Sequence, residues 1–389
     1  MRKFALITVA VLAGLVTSAL ATAAPAVVID AQTGRVMHHE QAFDRWSPAS
    51  LTKLMTAYVT FKALDDGTLT SQSPVRMSVA ATNAPPSKMG YSVGAVMTVE
   101  NALEMLIIKS ANDVSVALGE AVSGSAGAFV ERMNAQAAAL GMSATRFANP
   151  HGLDDPNQYT NARDLAILAR AIRREFPQYD DLFAAEAIRT GETVTASYNI
   201  LLGRYAGADG MKTGFVCASG FNIAASATRN GRTMIAIVLG ETSQKARAEK
   251  SANLMEEAFA NSDAAETAPL INELPQPATV STATANLRPT VCTEEARASR
   301  WDGRQIEGYI TFDTPLLSAM TRAPRAVSTG LGGAIGASAA AVVLNNAVVQ
   351  SYPVPRPRPV HEPATDPLDM EQFQLREGLT APPPARRPS

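Results

Sequence analysis

The sequence predicts an α+β domain, an antiparallel sheet flanked by helices and interrupted by a helical insertion. Three observations carry the prediction. At the start, "PAVVID" and "RVMHH" flank Gln32-Thr33-Gly34, a turn signal between two short apolar runs. Two hundred positions on, "SGFNIAASATRNGRTMIAIVLG" places Asn230-Gly231 between two longer apolar runs, the strongest short-range hairpin signal. Between these hairpins the apolar residues recur at helical spacing.

Each element follows in order. "RWSPASLTKLMTAY" opens a helix, with Ser47 as its cap and Pro48 at the first helical position. "TVENALEMLII" has Thr98 as a candidate cap and puts Leu103, Leu106 and Ile107 on one face. Further helices are expected over 125–140, 161–174 and 244–261. Past residue 263 the character changes: sixteen of the 24 prolines lie in 263–389, and "YPVPRPRPV" and "APPPARRPS" suit neither a helix nor a central strand. The division expected is a leader over 1–23, a folded domain over 24–262, and a low-complexity, largely disordered tail over 263–389. A short strand-rich piece around "GRQIEGYITF" interrupts that tail.

Composition narrows the function classes. The 389-residue chain is 46% hydrophobic and 18% charged, with a net charge of −2, so no basic surplus drives nucleic-acid binding. "MRKFALITVAVLAGLVTSALATA" has a charged head, an apolar stretch and small residues before Ala24, the pattern of a cleaved export signal. The chain is therefore expected outside the cytoplasm, in the periplasm or cell envelope. Residues 331–349 are Gly/Ala-rich and broken by Asn345-Asn346, so no membrane span is assigned; whether the tail contacts a membrane is left open. In an oxidising compartment Cys217 and Cys292 either pair or remain two thiols, and spacing alone decides neither. His38-His39-Glu40 lacks the spacing of a metal motif, and no metal or cofactor is expected.

Three short motifs point to chemistry. Ser50-Leu51-Thr52-Lys53 is the only S-x-x-K, and Lys212-Thr213-Gly214 the only K-T-G. S-x-N occurs at Ser110, Ser197 and Ser251, of which Ser110-Ala111-Asn112 follows directly on a helix. Taken singly, each reads as structural: helices are full of i, i+3 pairs, and a serine–asparagine cluster is ordinary in a loop. Together, in this order on an exported chain, they read as a catalytic set. A serine hydroxyl needs a base to become a nucleophile, and Lys53 faces the same way as Ser50. An apolar setting and a second cation, Lys212, would depress the lysine pKa enough for a neutral amine. The unpaired amides of the first helical turn suit an oxyanion.

On "SPASLTKLMTAY", "LIIKSANDVSVAL", "FANPHGLDD", "YTNARDLA" and "DGMKTGFVCASGFNIAASATRNG", the chain resembles the low-molecular-mass penicillin-binding proteins, specifically the serine D-alanyl-D-alanine carboxypeptidases. The resemblance covers about residues 25–260 and implies a β-lactamase/transpeptidase-like fold. It implies Ser50 as acylated nucleophile, Lys53 as general base and Ser110 as proton relay. Asn112, Lys212, Thr213, Gly214, Phe215 and Arg247 would bind substrate: Asn112 the amide, Thr213 and Arg247 the terminal carboxylate, and the backbone amides of Ser50 and Phe215 the oxyanion. The partners implied are peptidoglycan stem peptides and β-lactams, in wall maturation and cell-shape control. Phe215 departs from members that carry histidine there. A class A β-lactamase needs a glutamate between the second and third motifs; none lies between Glu131 and Glu175. A DD-endopeptidase and a non-catalytic envelope protein remain the alternatives.

Overall fold

The computed structural model describes residues 24–261, 267–300 and 310–335. The expected export signal and most of the "GRQIEGYITF" piece lie outside these residues.

The chain begins with β1 (Ala26–Asp30) and β2 (Val36–Glu40). A 3-10 turn over Ala49–Leu51 runs into α1 (Thr52–Asp65). Then come β3 (Pro74–Arg76), α2 (Val79–Thr82), β4 (Val96–Thr98), α3 (Val99–Ile107) and α4 (Asn112–Ser123). Helices α5 (Ala126–Ala139), α6 (Ala162–Glu175) and α7 (Asp180–Ala184) complete the insertion. The ribbon β5 (Ala187–Thr190) and β6 (Thr193–Ala196) precedes β7 (Ala208–Val216), β8 (Gly220–Arg229) and β9 (Arg232–Glu241). The remaining elements are α8 (Gln244–Ala260), α9 (Arg288–Val291), α10 (Glu294–Arg300) and β10 (Ala326–Ser328).

The main sheet has the order β2-β1-β9-β8-β7, antiparallel throughout. Both expected hairpins are present; Asn230 and Gly231 have positive φ, and Arg229 pairs with Arg232 across them. Alternation along the strands builds two cores. Val27 and Ile29 of β1, with Ile235 and Ile237 of β9, face the helical insertion. Ala26 and Val28, with Met234, Ala236 and Val238, face α8. Both faces are covered, which is why these strands are apolar without a break.

Helix α1 passes through the larger core and is buried on every side from Thr52 to Phe61, Lys53 included. Phe61 stacks on Tyr179 at 4.2 Å and meets Phe176 and Phe183 at its edges. Replacing it by alanine would cost about 3–5 kcal/mol. Thr98 caps α3 as expected, accepting from the Asn101 amide. Ser47 does not cap: the 3-10 turn follows Pro48 with no side-chain capping bond, and Asn222 Nδ2 instead donates to the Ser47 carbonyl (3.0 Å).

The expectation of a largely disordered region from 263 does not hold for the described parts of it. The Val36 amide donates to the Pro269 carbonyl, and Ile271, Leu274, Val291 and Leu317 are buried. Cys217 and Cys292 form a disulfide with a Cα separation of 5.7 Å. Strand β10 pairs in parallel with β5, and Arg322 and Arg325 converge on the buried Glu186 carboxylate. Ten of the sixteen tail prolines lie at 353 and beyond, so averaging over the whole tail hid these anchors.

Candidate active site

Three surfaces meet at Ser50: the 3-10 turn, the edge strand β7, and the loop 149–155. Two glycines permit the approach. A Cβ on Gly214 would stand 2.9 Å from the Ser50 amide nitrogen, closer than a side chain tolerates. Gly152 has φ +95°, and a Cβ there would run into the Ala49 carbonyl. Fully buried in β8, Asn222 ties the turn to the sheet: Nδ2 reaches the Ser47 and Pro48 carbonyls, and Oδ1 accepts from the Gly240 amide at 3.0 Å. Ala49 adopts a positive φ of 47° in this turn, a conformation the three surfaces together hold.

Lys53 sits one turn along, fully buried. Its Nζ lies 3.0 Å from Ser50 Oγ, 2.6 Å from Asn112 Oδ1 and 2.7 Å from the His151 carbonyl oxygen. Burial and the neighbouring Lys212 hold its pKa well below the usual lysine range, with Asp113 opposing. Two of the three neighbours can only accept. A neutral amine satisfies both with its two N–H groups and turns its lone pair to the third, the Ser50 hydroxyl.

The second serine–lysine pair faces the first. Ser110 has φ 62° in the link between α3 and α4, and its Oγ accepts from Lys212 Nζ at 2.9 Å. Lys212 is buried on β7, and burial, Arg247 and Lys109 bring its pKa down to about 7. Asn112 begins α4; its Oδ1 is on Lys53 and its Nδ2 donates to the Pro85 carbonyl (2.9 Å). Asn112 also lines the cleft, where the expected contact to the substrate amide would be made.

Arg247 is buried rather than solvated. Its guanidinium donates to the carbonyls of Gly214, Asn222 and Tyr198, and lies 5.5 Å from the Phe221 ring centre. Phe215 packs on Phe221 with ring centres 4.2 Å apart. The cleft is lined by Ser50, Ser110, Asn112, Thr213, Gly214, Phe215 and Arg247, with Ser87, Leu153 and Tyr198 completing its walls. None of its lining side chains is a carboxylate. His151, buried beside Lys53, has its pKa pushed down to about 3 by burial and by that charge, and serves through its carbonyl. Among the described residues no cluster of His, Cys, Asp or Glu could hold a metal ion.

Sequence reading overlooked Asn222, Gly152 and the wall residues Ser87 and Tyr198. The available signal for Asn222 was a lone amide in an otherwise apolar and small strand; Gly152 sat inside the "NPHGLDD" stretch.

Known proteins resemble this chain in sequence and fold. The profile of the peptidase S11 family, D-alanyl-D-alanine carboxypeptidase, matches residues 15–243. D-alanyl-D-alanine carboxypeptidase DacA of Haemophilus influenzae is 37% identical over 251 residues, covering 63% of this chain and 64% of its own. DacF of Bacillus subtilis is 35% identical over 250 residues, 62% and 64% of the two chains. The chain therefore spans just under two thirds of the length of these curated relatives. Among solved structures, the carboxypeptidase DacD of Francisella tularensis superposes with a TM-score of 0.60 at 30% identity, over 61% of this chain and 70% of that one. Penicillin-binding protein 5 of Haemophilus influenzae gives 0.59 at 34% identity, over 61% and 71%. Two paired serines and lysines, on a sheet and helical insertion of this topology, accord with those matches: the chain belongs to the peptidase S11 family of D-alanyl-D-alanine carboxypeptidases.

Proposed function

We propose that the protein is a serine carboxypeptidase that removes the terminal D-Ala from peptidoglycan pentapeptide stems, and that β-lactams acylate the same serine. The observation that carries this reading is the environment of Lys53 Nζ: two obligate acceptors and one hydroxyl around a buried amine of lowered pKa. Lys53 takes the Ser50 proton as Oγ attacks the penultimate D-Ala carbonyl. The oxyanion is received by the Ser50 and Phe215 amides. Ser110, held by Lys212, gives its proton to the departing amine and takes in exchange the one Lys53 removed from Ser50, and the terminal carboxylate rests between Thr213 and Arg247. Water then attacks the acyl-enzyme, Lys53 takes its proton and passes it to Ser50 Oγ as the ester bond breaks, and the shortened stem is released. Asn112 positions Lys53 in this scheme.

Two bound-state structures of a relative support the β-lactam part: penicillin-binding protein D2 of Listeria monocytogenes, 28% identical, is known in cefotaxime- and ampicillin-bound forms. The leader sequence and the disulfide favour an extracytoplasmic site of action. No helix among the described residues is long and apolar enough to cross a membrane.

The test is incubation with a pentapeptide muropeptide, with a cross-linked dimer, and with a labelled penicillin. Loss of one alanine from the first, an intact dimer, and a covalent adduct absent from Ser50→Ala are expected. Cleavage of the dimer with an untouched pentapeptide would make it an endopeptidase instead.

A further inference from the structure

We propose that residues 281–292 form a specificity wall for the stem of the peptide substrate, the part that stays on Ser50 after the last residue leaves. The inference rests on the carboxypeptidase reading, which sets the direction of the peptide. With the terminal carboxylate at Thr213 and Arg247 and the scissile carbonyl at the Phe215 amide, the chain of the substrate continues in the same sense along β7. It must pass Val216 and Cys217 on one side and Leu153 and Asp154 on the other.

The segment 281–292 is fastened to both sides of that path. Cys292 is bonded to Cys217, two residues beyond Phe215. The Leu287 amide donates to the Ala218 carbonyl (2.9 Å), and the Leu287 side chain fills the space where a Cβ of Gly220 would point. Arg288 reaches the opposite wall, its Nη2 donating to Asp154 Oδ2 at 3.4 Å, next to the cleft-lining Leu153. The start of the segment is fixed too: the Arg45 amide donates to the Ser281 carbonyl (3.0 Å), and the Ser281 amide to Asp44 Oδ1 (3.1 Å). Val291 is buried beneath. A segment pinned in backbone, side chain and disulfide is a fixed wall rather than a swinging loop.

Its exposed face is polar. The Arg288 and Asp154 side chains are 59% and 42% exposed, so they present a cation and an anion side by side at the mouth of the cleft. That ledge fits an extended peptide of four or five residues with charged side chains, and offers nothing to a short ligand that ends before it. The Arg288–Asp154 pair contributes little to the fold at this exposure, so its removal isolates recognition from stability.

The experiment compares kcat/KM for a full pentapeptide stem with that for a diacylated tripeptide ending in D-Ala-D-Ala. It uses the full-length wild type, Arg288→Ala and Cys292→Ser. The long-to-short ratio is expected to fall about tenfold in both variants, as loss of contacts beyond the reacting centre requires. A merely structural role for the segment would lower both constants together; a ratio that stays within about twofold of wild type overturns the proposal. Arg288→Ala decides the matter alone if Cys292→Ser fails to fold. Wild type that hydrolyses neither peptide would sink the carboxypeptidase reading and this one with it, whereas wild type that hydrolyses both, with an unchanged ratio in Arg288→Ala, rejects the wall alone.

Discussion

Asn222→Ala tests how the nucleophile is seated. Asn222 is fully buried, and its amide makes two bonds of normal length, to the Ser47 carbonyl (3.0 Å) and from the Gly240 amide (3.0 Å), with a longer one to Pro48. Truncation leaves a carbonyl and an N–H unpaired in the interior, each costing about 1–3 kcal/mol, so a total loss of about 3 kcal/mol is expected. For a domain of this size that lowers Tm by about 6–12 °C. The second effect is on rate. The turn that carries Ser50 loses its tie to the sheet, and a displacement of an ångström in a reacting group costs about 100-fold. Thermal unfolding followed by circular dichroism measures the first, and the second-order rate of labelled-penicillin acylation, well below the new Tm, measures the second. A variant that melts within about 1 °C of wild type and acylates at the wild-type rate would refute the anchoring role.

Four further outcomes follow from the site and from the C-terminal anchors. Lys212→Met removes the charge that, after burial, most depresses Lys53, so the Lys53 pKa rises and the acid limb of the acylation profile moves to higher pH; a limb that moves down, or stays, contradicts the coupling. Lys212 itself has a folded pKa of about 7 against 10.5 unfolded, so between these values the unfolded chain binds more protons and stability rises with pH; urea titrations should show this slope in wild type and a flatter one in Lys212→Met. Arg247→Ala should lower kcat/KM on the pentapeptide about 100-fold, the loss of a charge-assisted contact of about 3 kcal/mol; an unchanged constant would remove Arg247 from carboxylate binding. Glu186→Gln loosens the convergence of Arg322 and Arg325 on one carboxylate, and limited proteolysis should then cut within 310–335 faster than in wild type.

Local signals carried much of the fold. The Asn230-Gly231 turn and the Thr98 cap depend on neighbours a few residues away, and both were legible. The short motifs also named Ser50, Lys53, Ser110 and Lys212, whose side chains the fold brings together in pairs. What escaped is long-range. Asn222 acts on a carbonyl 175 positions earlier, and Glu186 on arginines 136 and 139 positions later. Ser47 misled for the same reason: its sequence has the local form of a cap, but its carbonyl is claimed by Asn222 and the chain enters a 3-10 turn instead. For Asn112 the sequence suggested a role toward substrate but gave no sign that the buried Lys53 uses its oxygen. Composition misjudged the described parts of the region after 263 because proline content is an average, and a few apolar and charged residues suffice to anchor a segment.

The sheet order has a consequence for how the molecule is made. Strand β1 pairs with β9, Ala26 opposite Val238, so the first strand emerging from the ribosome finds its partner some two hundred residues later. Closing a loop of that length costs about 5 kcal/mol of chain entropy before the pairing returns anything. Helices α1, α4, α5 and α6 contact one another across shorter stretches of chain than β1 and β9 do, and can condense first, while the sheet waits for the second hairpin. Ser50 lies early in the chain, but the residues that seat it, Asn222 and Gly214, belong to the late strands. An incomplete chain therefore carries the serine without the site, and the geometry around Ser50 is completed only in the last folding event.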